Sequence, residues 1–368
     1  MTLVIHAGGG DRLFRNALWA WGIRKGDRVA LTGINSVDYL ALEQAVGLMG
    51  AVSVPIYYTT PAAEAETLLQ KSGAHWFFVG DRRMLAQLEK MKTEARIVLF
   101  SVVQKESLPS AMGWEQFLTK SQDPAPMQRP DPEDLATIRY TSGTTGEPKG
   151  VTFNFSQLSW MGEVLTNLVS WQDRHRPMRY LSFLPLSHVV EGILASYAPY
   201  YLLADVGYYY LNDFGALTDA LPKVRPTIFF SVPRFYEKLW EKAIANPVGK
   251  AWQKTPEGMY QQALGKLLKA VVLKKAGIDQ CRQLIVGSAP VSEALLKKSP
   301  PFFKERAASI FFRSPWVSGF ILLLPLAKLP RREKNIIRLC QKNGRCGFFK
   351  KASNRLFWLM YQTFWKNL

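Results

Sequence analysis

The string Tyr140-Thr-Ser-Gly-Thr-Thr-Gly-Glu-Pro-Lys-Gly150 constrains this chain more than any other part of it. Three glycines and four hydroxyl side chains follow the β-prone run Leu135–Tyr140 and precede a second one, Val151–Phe155. Glycine lets a backbone approach a ligand closely and adopt positive φ. Successive amides and hydroxyls can then surround phosphate oxygens, while Lys149 brings a mobile positive charge. The Walker A pattern needs Gly-Lys followed by Ser or Thr. Here Pro148 precedes Lys149 and Gly150 follows it, so a P-loop NTPase is a poor fit.

A loop of this kind needs strands to hold it, and the surrounding sequence supplies them. Arg28–Thr32, Ala51–Ile56, His75–Val79, Arg96–Phe100 and Leu135–Tyr140 read as short buried-type strands. Helical patterns separate them. Ser36 is placed to cap a helix whose apolar face carries Leu42, Ala45, Val46 and Met49, closed by Gly50. Thr60-Pro61 reads as an N-cap followed by proline at the first helical position. A helix over about 156–170 precedes further strands at Arg179–Leu184, Thr227–Val232 and Gln283–Gly287. This βα rhythm predicts an α/β domain with sheets layered by helices.

The 368 residues suffice for one large domain with an appendage. Cys281, Cys340 and Cys346 form no paired framework, and with only four histidines they make no zinc cluster. The net charge of +18 invites a nucleic-acid reading until it is located. Fourteen Lys or Arg stand against Glu305 and Glu333 after Pro301, so +12 of it belongs to the end of the chain. A nucleic-acid partner is therefore not expected. The apolar run Trp316–Ala327 is shorter than the ~20 residues of a spanning helix. Its basic flanks fit a peripheral membrane contact at most. No leader segment is evident, and a cytoplasmic protein is expected.

In these residues the chain resembles the adenylate-forming (AMP-binding) superfamily, in its long-chain acyl-CoA synthetase form. The glycine–hydroxyl string is similar to that family's phosphate-binding signature. Leu184-Pro-Leu-Ser-His-Val189 with Glu191 is similar to the segment bordering the acyl pocket. Ser231-Val-Pro-Arg-Phe-Tyr-Glu-Lys238 looks like a structural segment of the same subgroup, and Gly287-Ser-Ala-Pro290 resembles the loop against adenine and ribose.

The resemblance implies that Thr141 helps hold Mg²⁺ and phosphate, and that Ser142, Gly143, Thr144, Thr145, Gly146 and Lys149 wrap the phosphates. It implies that Gly287, Ser288, Ala289 and Pro290 line the nucleotide site and that His188 belongs to the reacting centre. The implied substrates are a fatty acid, ATP and coenzyme A, giving acyl-AMP and then acyl-CoA.

The resemblance runs over 21–305, leaving 1–20 as an atypical segment and 306–368 as a basic tail without an expected fold. The family's later glutamate and ribose motifs and its small C-terminal domain are not found in that tail. Impaired turnover is therefore expected of this chain. The alternative is an inactive remnant that binds nucleotide or fatty acid. Glu191 is open between a pocket role and a solvated acid, while Trp160, Trp171 and the tyrosines at 197, 200, 201 and 208–210 read as core.

Overall fold

The computed structural model describes residues 10–103, 108–122, 124–126, 130–141, 147–168, 176–201, 206–286, 307–309, 312–313 and 318–319. Short apolar runs alternate with helices, and among these residues the alternation builds two mainly parallel sheets. The first contains β1 (Arg28–Gly33), β2 (Val52–Pro55), β3 (Trp76–Gly80), β4 (Arg96–Leu99), β5 (Ala111–Met112), β6 (Leu135–Thr141) and β7 (Lys149–Asn154). Their order is β5-β4-β3-β1-β2-β6-β7. Every pairing is parallel except the last, where β7 folds back antiparallel on β6.

The second sheet contains β8 (Met178–Ser182), β9 (Val206–Tyr210), β10 (Ile228–Ser231), β11 (Gln283–Val286) and β12 (Ala307–Ser309). It runs β12-β11-β10-β8-β9, all parallel.

Helix α2 (Val37–Leu48) begins where the sequence places it. Ser36 has extended backbone, and its hydroxyl accepts from the Tyr39 amide at 3.2 Å. Leu42, Ala45, Val46 and Met49 are all buried. Gly50 follows with φ +66°, a left-handed geometry that glycine accepts without a Cβ clash. One apolar cluster joins Leu18, Val46 and Phe78 to Tyr180, Phe230 and Ile285, so residues of both sheets share a core. Phe78 and Phe117 meet edge to face there, centroids 5.1 Å apart at 83°. Such a pair adds about 0.5–1.5 kcal/mol to the area it buries.

Four expectations change. α3 (Ala62–Ser72) starts one residue late, because Pro61 has ψ 152° and so sits outside the helix as its cap. The atypical segment is not all irregular: α1 (Gly10–Ala20) is a helix that buries Phe14, Ala17 and Leu18, an i, i+3, i+4 stripe. The strand Ala307–Ser309 pairs with Leu284–Val286, so the sheet extends just past the boundary read at 305. Trp160 is 45% exposed rather than core, because α6 (Phe155–Leu168) turns Phe155, Leu158 and Met161 inward instead. Tyr197, Tyr208 and Tyr210 are buried as expected. Trp171, and the side chains of Tyr200 and Tyr201, lie outside what is described.

Candidate functional site

The β6–β7 hairpin carries the glycine–hydroxyl string. Thr141 closes β6 and Lys149 opens β7, paired with each other as the last rung of the ladder. Both side chains are exposed. Ser142, Gly143, Thr144, Thr145 and Gly146, which connect them, lie outside the described residues. Glu147, just before Lys149, reaches Lys71 of α3 at 3.0 Å, a surface contact worth little on its own.

Pleating sets which face of β6 does what, since alternate side chains point to opposite sides. Ile138 and Tyr140 pack with Phe77 and Val79 on one face. Thr137 and Arg139, buried to 0% and 1% exposure, point to the other. Alternation puts Thr141 on the same face as Arg139.

That face meets the second sheet at the carboxyl ends of its strands, where open α/β sheets bind ligands. Two contacts tie the ends together. Asn35, after β1, donates from Nδ2 to the Leu184 carbonyl at 2.9 Å and accepts from the Leu186 amide at 3.2 Å. Arg139 donates from Nη1 to the Leu186 carbonyl at 2.8 Å and to the Ser187 carbonyl at 3.3 Å. The segment from Leu184 to His188 is therefore held by the first sheet although it follows β8 of the second. Val286 ends β11 in the same sheet, and Gly287, Ser288, Ala289 and Pro290 beyond it lie outside the described residues.

Glu43 of α2 completes the arrangement. Its Oε1 accepts from Arg139 Nη2 at 2.7 Å and from the Ser53 hydroxyl at 3.3 Å. Ser53 in turn shares a 2.9 Å hydrogen bond with the Tyr197 hydroxyl. Burial pushes the Glu43 carboxyl up, and the Arg139 charge opposes that shift. Sequence reading missed this pair. The available signals were a lone arginine inside Leu135–Tyr140 and an acid beside Leu42 in the middle of a mostly apolar helix.

His188 sits at the start of a helical segment made of Val189–Glu191, a π-helical Gly192–Tyr197 and Ala198–Tyr201. Its Nδ1 accepts from the Val190 amide at 3.3 Å, which leaves the proton on Nε2. The ring stands edge-on to Tyr57, centroids 6.2 Å apart. Burial first, and the Arg139 charge second, lower its pKa to about 4, so the imidazole is neutral at pH 7. Glu191 resolves as a buried acid, 1% exposed. Burial raises its pKa to about 8, while the Tyr180 hydroxyl donates to its Oε2 at 3.1 Å.

Among the described residues no cluster of His, Cys, Asp or Glu could hold a metal by itself. Mg²⁺ usually takes one or two protein ligands and completes its shell with phosphate and water. The exposed Thr141 hydroxyl is an oxygen donor of the kind such a minor share uses. Cys281 is buried and its thiol donates to the Pro226 carbonyl at 3.0 Å, a structural contact. No helix among the described residues is long and apolar enough to cross a membrane.

A long-chain-fatty-acid–CoA ligase of Xenopus laevis is 26% identical over 316 residues, covering 75% of this chain and 42% of that protein. The peroxisomal long chain acyl-CoA synthetase 7 of Arabidopsis thaliana is 32% identical over 234 residues, covering 60% of this chain and 32% of that one. The chain thus spans less than half the length of these relatives.

Among solved structures, the adenylation–carrier didomain of a carboxylic acid reductase from Segniliparus rugosus, in complex with AMP, aligns with TM-score 0.65. It is 16% identical, over 84% of this chain and 46% of that one. The inhibitor-bound N-terminal domain of FACL13 from Mycobacterium tuberculosis aligns with TM-score 0.56 at 22% identity, over 83% and 67%. At such identities the two structures show a shared fold. The family described as AMP-binding enzyme matches residues 12–309, and the chain belongs to it.

Proposed function

We propose that this chain supplies the nucleotide- and acid-binding part of an AMP-forming fatty acid–CoA ligase. The observation that carries the reading is the hairpin in which Thr141 and Lys149 pair across the mouth of the glycine–hydroxyl string. The strand that ends in Thr141 also holds, through Arg139, the segment bearing His188. The names of the Xenopus and Arabidopsis relatives support a long-chain acid as the substrate.

In this reading ATP arrives with Mg²⁺. Thr141 would supply one ligand to the metal, which would neutralise phosphate charge, and Ser142 through Gly146 with Lys149 would surround the phosphates. Gly287 to Pro290 would face adenine and ribose, and the imidazole of His188 would line the site between nucleotide and acyl chain. An oxygen of the fatty carboxylate bonds to the α-phosphorus as its bond to pyrophosphate breaks, leaving acyl-AMP. The thiolate of coenzyme A then bonds to the acyl carbon and AMP departs. A carboxylate is already ionised at pH 7, so alignment and neutralisation of phosphate charge matter more than proton transfer. A neutral His188 suits this, since it lines the site without adding a charge to the carboxylate's path.

Calorimetry on purified 1–368 tests the proposal. Saturable binding of both Mg²⁺·ATP and a long-chain fatty acid is expected. Binding of neither ligand rejects it.

A further inference from the structure

We infer that Arg139 is the positioning residue of this site: pinned by Glu43, it holds the Leu186–His188 turn against the strand that leads into the phosphate loop. The inference rests on the functional reading above and assigns a residue that the family resemblance does not.

Arg139 uses its guanidinium as a three-way connector. Nη2 meets Glu43 of α2 at 2.7 Å, and Nη1 meets two successive carbonyls, Leu186 at 2.8 Å and Ser187 at 3.3 Å. A planar fork with several donors can serve all of these at once, whereas an ammonium is a single point of charge. Gly192, at the start of the π-helical turn, packs so closely on the guanidinium that a Cβ there would overlap it. Tyr197, five residues on, stacks its ring 5.7 Å from the guanidinium carbon. The whole stretch from Leu186 to Tyr197 is thus moulded around one side chain of β6.

An isolated buried ion pair rarely adds net stability, because desolvation cancels most of the attraction. What the pair supplies here is geometry. Two residues after Arg139 along the same face, Thr141 opens the phosphate string, so one strand fixes both the acyl-side turn and the entrance to the nucleotide loop.

The charge has a second consequence. His188 faces Arg139 from β6 and the Tyr57 ring from the segment after β2. Glu191 lies on its own helical segment and Glu43 lies behind Arg139. Arg139 is the cation that acts on the imidazole, and it adds to burial in keeping the ring neutral.

The test compares wild-type 1–368 with the double variant Glu43→Gln/Arg139→Met and with Arg139→Lys. Removing both charges together avoids stranding a buried ion, and Gln can still accept from Ser53 and Tyr197. Thermal melting first establishes that each variant is folded. The readout is the His188 titration by NMR, assigned by comparison with His188→Gln among the four histidines, together with fatty-acid and ATP affinity.

In the double variant the His188 midpoint should rise above about 4 yet stay below the ordinary 6.5, because burial, the larger cause, remains. Fatty-acid affinity should fall about tenfold as the lining turn loses its anchor, with ATP affinity changing less than about twofold. Arg139→Lys should keep the low His188 midpoint yet still lose fatty-acid affinity, because charge survives and the fork does not. An unchanged His188 midpoint in a folded double variant overturns the inference, and so does fatty-acid affinity equal to wild type in both variants. If the wild type binds no fatty acid, the functional reading fails instead, and the backbone amide shifts of Leu186–Val190 in the same spectra decide the role of Arg139: they should move in the double variant, and unchanged shifts overturn the inference.

Discussion

Gly192 lies against the guanidinium of Arg139 with no room between them for a side chain. The arginine is buried to 1% and the glycine sits at the first residue of a π-helical turn, a feature that recurs at functional sites. A close approach of backbone to side chain explains why this position is glycine, with no appeal to positive φ.

Gly192→Ala should therefore force Arg139 off its carbonyl partners. Overpacking of this sort costs about 1–3 kcal/mol. Urea unfolding of the variant and the wild type measures it, with a lower midpoint and an unchanged slope expected. Equal midpoints would mean that the guanidinium moves aside freely.

The buried acid Glu191 gives a pH prediction with a definite sign. Its folded pKa of about 8 lies above the ordinary 4.5, so its contribution to stability is complete below pH 4.5 and declines as the pH rises toward 8. Glu191→Gln removes that decline and can still accept from the Tyr180 hydroxyl. Between pH 4.5 and 8.5 the variant should gain on the wild type by an amount on the order of 4 kcal/mol. Unfolding curves at several pH values check this, and a constant gap across the range would show that Glu191 ionises normally.

Lys149 stands at the start of β7, exposed and paired in register with Thr141. Its loss should weaken Mg²⁺·ATP binding by about 1.5–3 kcal/mol, the usual worth of a hydrogen bond to a charged group. Calorimetry on Lys149→Ala reads it directly. Equal affinity in variant and wild type removes Lys149 from the nucleotide site.

The sequence displayed the strands because each is a short apolar run between turn residues, and Ser36 and Gly50 marked both ends of α2. Candidate residues around the phosphate string were legible from composition, since glycines and hydroxyls cluster nowhere else so densely. What holds the Leu184–His188 segment was not. Arg139 reads locally as a charge on an outward face of a strand, and only packing of α2 and the Gly192 turn over that face buries it. Glu191 was ambiguous for the same reason, because burial by Tyr180 and its neighbours comes from another strand. Trp160 misled in the opposite direction: its size implies core, but Leu158 and Met161 take the inward face of α6.

The proposed acid site predicts a chain-length preference set by the apolar residues beyond His188. Val190 and Ile193 are buried and Val189 and Leu194 are partly so. If the acyl chain lies along this segment, each added methylene should improve binding by about 0.8 kcal/mol until the pocket ends. A series of fatty acids from acetate upward measures the slope. A flat series would point to a different acid.

The proposed function requires one site in this chain to take a nucleotide and an acyl chain side by side. An acyl-adenosine mimic with a sulfamoyl link in place of the phosphate tests that most directly, because it occupies both halves at once. Titrated into wild-type 1–368, it should bind at least about a hundredfold more tightly than adenosine or the free fatty acid, since joining two ligands makes the second contact intramolecular. Affinity no better than that of the tighter half alone would contradict a shared site.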